Sequence, residues 1–97
     1  MYTINQLIGF LNGYARRESM DLQYQVCGVT AIQSAKNHEV CVVEGREDLE
    51  KIRTYKSDVK IAVVSKEFHQ EIPDEISCIV VDDAAKAGQV LIELFSE

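Results

Sequence analysis

Three short apolar runs, Val40-Cys41-Val42-Val43, Ile61-Ala62-Val63-Val64 and Cys78-Ile79-Val80-Val81, constrain the fold of this chain more than any other feature. Each has the length of a strand and is apolar without alternation, the pattern of a strand covered on both faces. The connections between them are too long for hairpin turns, which points to parallel strands joined by crossovers. The expected class is α/β, a small mixed, largely parallel sheet with helices packed on it.

The remaining segments fit around that sheet. Thr3 and Gln6 form a capping-box pattern, Ile4, Leu7, Ile8 and Leu11 recur at helical spacing, and Gly13 is placed to end the helix in a left-handed conformation. Tyr14 to Glu18 reads as a short edge strand and Ser19 to Asp21 as a turn. Leu22 to Val29 is rich in β-formers and reads as one further strand. Thr30 is placed to cap a single helical turn through Ala31, Ile32 and Ala35. Glu44-Gly45-Arg46 turns the chain into a helix from about Glu47 to Tyr55, with Glu47 and Asp48 in its first turn and Lys51 and Arg53 near its end. Ser65 to Pro73 is a connection containing an irregular or short helical piece. Asp82 or Asp83 caps a last helix, Ala84 to Phe95, with Ala87, Val90, Leu91, Leu94 and Phe95 facing inward.

At 97 residues the chain holds one domain, 1–97, and no second core. Its net charge of −6 is uneven: acidic and basic residues cancel over residues 1 to 65, and the whole excess falls in the last third. That end would repel a phosphate backbone, so nucleic acid is not an expected partner. The N-terminus lacks the basic and apolar regions of a signal peptide, and no apolar stretch reaches membrane-spanning length. Cys27, Cys41 and Cys78 are odd in number, lack C-x-x-C spacing and sit in apolar runs, which reads as three core thiols in a reducing compartment. The cytoplasm is the expected location.

Catalytic patterns are missing from the sequence. His38 and His69 have no Cys, Asp or Glu at metal-ligand spacing, and the five glycines never cluster as a phosphate loop requires. Asp82-Asp83 follows a buried strand, where carboxylates can bind metal, but reads more simply as a helix cap. Arg16-Arg17 reads as a surface pair. Gly45 and Arg46 are the candidate ligand-binding residues: they follow a buried strand and open a helix, where backbone N–H groups and a guanidinium can hold a phosphate. The expectation is therefore no catalytic residue, no metal site and no cofactor.

The chain resembles the N-terminal, nucleotide-recognising domain of the UDP-3-O-acylglucosamine N-acyltransferase family of lipid A biosynthesis. The residues that carry the resemblance are Tyr2 to Leu11, Val26-Cys27-Gly28-Val29-Thr30-Ala31-Ile32-Gln33-Ser34-Ala35, Val63 to Phe68, and Ile79-Val80-Val81-Asp82-Asp83-Ala84 with the helix to Phe95. The N-terminal domains of Mur ligases and of HPr kinase are similar in plan. The resemblance implies recognition of a UDP-sugar by a domain that is not catalytic by itself and precedes a β-helical acyltransferase body, of which this chain carries no repeat. It departs from the family at the uracil-binding signature, a Phe, an Asn and a Tyr, where this chain has Val42, Gly45 and Asp48. The alternative is a ligand-free interaction or regulatory domain whose partner is another protein or a second copy of the chain.

Overall fold

The computed structural model describes residues 1–96. In chain order it contains β1 (Tyr2–Thr3), α1 (Ile4–Leu11), β2 (Tyr14–Ala15), β3 (Gln25–Val26), β4 (Gly28–Val29), β5 (Glu39–Val43), α2 (Arg46–Tyr55), β6 (Ile61–Ser65), β7 (Ser77–Val81) and α3 (Ala84–Phe95). Single 3₁₀ turns lie at Ile32–Ser34 and His69–Glu71.

The main sheet has the order β2-β7-β6-β5-β4. Strands β4 to β7 are parallel neighbours in chain order, and β2 closes the edge antiparallel to β7. β1 and β3 form a separate two-stranded antiparallel ribbon. This is the mixed, largely parallel sheet with packed helices that the apolar runs imply.

Apolar layers on both faces of this one sheet explain why those runs do not alternate. Cys41, Val43, Ala62, Val64, Cys78 and Val80 point to one face and pack with Leu49 and Ile52 of α2. Their neighbours Val40, Ile61, Val63, Ile79 and Val81 point to the other and pack with Ile4 and Leu7 of α1 and Ala84, Ala87 and Leu91 of α3. Successive side chains of a strand enter opposite layers, so every position of these runs is apolar.

Side-chain caps close two of the three helix N-termini, and the third carries the expected acidic first turn. Thr3 and Gln6 close a capping box, and the Asp83 side chain accepts the Lys86 N–H at 3.1 Å. α2 opens on Gly45, which has no side-chain cap, and on the acidic first turn of Glu47 and Asp48.

Several expectations need correction. The left-handed residue after α1 is Asn12, φ 55°, ψ 41°, and not Gly13. Gly13 is required for a different reason: a Cβ there would stand 2.6 Å from the Val80 carbonyl oxygen and 2.9 Å from Val81 Cγ1. The segment 22–29 is not one strand. It breaks at Cys27, so that β3 pairs with β1 while β4 pairs with β5, and this break turns the Cys27 side chain outward. Cys27 is thus exposed, whereas Cys41 and Cys78 are buried as expected. The 3₁₀ turn at 32–34 starts from Ala31, with no side-chain cap from Thr30.

Arg16 is not a simple surface arginine. Its guanidinium donates to the carbonyl oxygens of His69, Ile72, Pro73 and Ile76, which ties the 69–76 connection to the edge of the sheet. A planar fork with five N–H donors can reach four carbonyls in this way, which an ammonium cannot match. Arg17 adds an exposed pair with Asp74 at 2.9 Å.

Candidate functional site

In sheets of this kind the ligand crevice lies beyond the carboxyl ends of the parallel strands. Here those ends are Val29-Thr30, Val43-Glu44, Ser65-Lys66 and Val81-Asp82. A cleft of about 460 Å³ opens at the first two, between α3, the start of α2 and the 30–33 loop. Val29, Ile32 and Val42 give it apolar walls, Ala85 and Gly88 of α3 also line it, and Ile92 stands beside them. Thr30, Gln33, Glu44, Asp48, Lys51 and Gln89 bring polar groups into it.

The polar side chains arrive there for local reasons. Asp48 and Lys51 are three residues apart on α2 and share a face. The Asp48 carboxylate accepts the Glu44 backbone N–H at 2.8 Å, which fixes it against the first turn of the helix. Among the described residues, neither the Glu44 carboxylate nor the Lys51 ammonium has an ion-pair partner. Both side chains are exposed, so these polar groups are free to meet water or a ligand at the rim of one apolar-walled opening.

Gly88 is the residue that sequence reasoning missed. It is buried in the middle of α3, where glycine costs about 0.5–1 kcal/mol relative to alanine. Packing does not demand it. A Cβ at Gly88 would meet only ordinary contacts, Glu44 Oε1 at 3.7 Å and Val42 side-chain carbons at 3.7 and 3.8 Å. Those neighbours line the cleft, so the missing methyl widens the cleft. The available signal was a glycine inside an otherwise strong helix former, on the face shared by Ala84 and Leu91.

Gly45 and Arg46 lie at the same end of the sheet but outside the lining of this cleft. Gly45 is the extended residue before α2, with open space where a Cβ would stand. Arg46 turns toward the other side of β5, where its guanidinium lies 5.6 Å from the Phe68 ring centre and 3.5 Å from Glu71. Glu71 also faces Arg53 at 3.7 Å, and Arg53 pairs with Glu50 at 2.9 Å. The cations of this corner already face carboxylates.

The other candidates resolve into structural roles. Asp83 is the cap of α3 and Asp82 faces Lys66 at 3.5 Å. Among the described residues, no group of three or more His, Cys, Asp or Glu is arranged to hold a metal ion. His38 is exposed, its Nδ1 lies 2.8 Å from the Gln25 carbonyl oxygen, and its ring stacks on Tyr24. His69 is half-buried, and its Nδ1 is shut from water without a partner. Burial pushes the Cys41 thiol up to about 12, with Cys78 adding to the effect. Burial likewise pushes Cys78 up to about 11, against the pull of Arg16 and Arg17. Both thiols stay protonated at neutral pH and are poor nucleophiles.

No protein-family model matches the chain, and no curated protein matches it in sequence. Among the described residues, no helix is long and apolar enough to cross a membrane.

Proposed function

We propose that this chain is a recognition module for a small hydroxyl-rich ligand of the nucleotide-sugar class, a UDP-sugar by its sequence resemblance, bound in the cleft beside Gly88. The observation that carries the reading is the cleft itself: it lies beyond the ends of parallel strands and gathers exposed and half-buried polar side chains over apolar walls. A helix glycine that packing does not require lines it. The module positions its ligand for chemistry supplied elsewhere.

A second reading, a docking surface for a protein partner or another copy of the chain, draws on the exposed apolar side chains Ile92, 55% exposed beside the cleft, and Phe10, 51% exposed on α1.

Thermal denaturation of the chain with and without millimolar UDP-N-acetylglucosamine or UDP separates the two. A ligand at 100 times its dissociation constant adds about 2.7 kcal/mol, which raises the midpoint by several degrees. The expected shift is reduced by Gly88→Ala and kept by Arg46→Ala. A shift lost on Arg46→Ala and kept by Gly88→Ala would move the site to the Gly45-Arg46 turn. The absence of any shift would favour the protein-docking reading.

A further inference from the structure

We propose that the cleft takes the uncharged, hydroxyl-bearing part of its ligand, a nucleoside or sugar ring, and turns any diphosphate outward to solvent. This rests on the reading of the cleft as the binding site and adds the sign of its selectivity. Two carboxylates, Glu44 and Asp48, and one ammonium, Lys51, line the cleft, so the lining carries a net negative charge.

The first turn of α2 would otherwise attract an anion, but here it is already answered. Glu47 and Asp48 are acidic residues of that turn, and Asp48 takes the Glu44 N–H at 2.8 Å. A diphosphate placed inside would meet like charge at close range. Ring hydroxyls are a better match, because ionised carboxylates only accept hydrogen bonds and hydroxyls donate them. Gln33 and Gln89 offer donors and acceptors to ring carbonyl or amide groups, and Gly88 lets a ring approach the backbone of α3.

Selectivity of this kind is a difference of affinities set by repulsion as much as by attraction. Its measure is the ratio of the UDP dissociation constant to that of uridine, determined by titration calorimetry or chemical-shift titration. Glu44→Gln removes one carboxylate and should move the ratio in favour of UDP by about threefold or more, the size expected for one charge pair a few ångströms apart in a wet site. Added salt should move it the same way on the unmodified chain by screening the repulsion, and this arm stands even where the variant does not fold. An unchanged ratio, or one moved against UDP, with uridine and UDP both bound, overturns the inference and leaves the cleft a binding site. Failure of uridine, N-acetylglucosamine and UDP alike to bind overturns the reading of the cleft, and the inference with it.

Discussion

The two sides of β5's carboxyl end differ in how their charged side chains are paired. On the side of Phe68, Arg46 and Arg53 face Glu71 and Glu50, and the corner is an exposed ion-pair network. On the side of α3, Glu44 and Lys51 have no ion-pair partner among the described residues, and a glycine lines the opening. A cation at a strand end signals a binding site only if nothing in the fold already answers it. Arg46 already faces Glu71, whereas Lys51, which lines the cleft together with Glu44 and Asp48, has no such pair among the described residues.

The comparison can be broken most strongly through Arg16, which holds the 69–76 connection that carries Glu71. Arg16→Ala should cost about 3 kcal/mol in denaturant unfolding, since hydrogen bonds from a charged donor are each worth about 1.5–3 kcal/mol and their carbonyls would lose partners. Ligand binding at the cleft should survive in the fraction that stays folded. Arg16→Lys should recover only part of the loss, because one ammonium cannot replace the four-carbonyl fork.

Alkaline titration probes the core beneath both sides. The thiols ionise near 9.0 when unfolded and near 12 and 11 when folded at Cys41 and Cys78, so the unfolded state releases its protons first. Stability is therefore intact below pH 9 and falls as pH rises from 9 toward 11–12. Urea midpoints across that range check the slope. An aromatic disulfide reagent at pH 8 should label only the exposed Cys27 in the native chain and all three thiols after unfolding.

Gly88→Ala sharpens the contrast with Gly13. The Gly88 substitution should raise stability by about 0.5–1 kcal/mol through helix propensity, since its new methyl meets nothing closer than 3.7 Å. It should also weaken ligand binding, a pairing that a residue kept for packing would not give. Gly13→Ala, by contrast, should destabilise, because its methyl would collide with the Val80 carbonyl. The smallest effect belongs to Arg46→Ala, within about 0.5 kcal/mol in stability, as exposed ion pairs contribute little.

Fold legibility followed from the physics of burial. Continuous apolar runs state that both faces of a strand are covered, and the strands at 39–43, 61–65 and 77–81 and the helix at 84–95 lie where the sequence puts them. The segment 22–29 was harder, because nothing local to Val26-Cys27-Gly28 says that the chain leaves one sheet and enters another. The clamp of Arg16 was also illegible, since its four acceptors lie more than fifty residues away. At the carboxyl end of β5, the sequence singled out Gly45-Arg46, whereas the proposed cleft opens on the other side of the strand. Spacing put Gly45-Arg46 at a strand end. That Arg46 turns to Glu71, and that Gly88 comes to face Glu44, are tertiary facts with no counterpart in local spacing.

The central claim is that the ligand site lies on the α3 side of β5 and not at the Arg46 corner. The most direct test follows backbone amide shifts of the isotopically labelled chain during titration with uridine and UDP-N-acetylglucosamine. Saturable shifts are expected at Thr30 to Gln33, Val42, Glu44 and Gly88, with Arg46, Phe68 and Glu71 unmoved. Shifts centred on Arg46 and Phe68, or none at millimolar ligand, would contradict it.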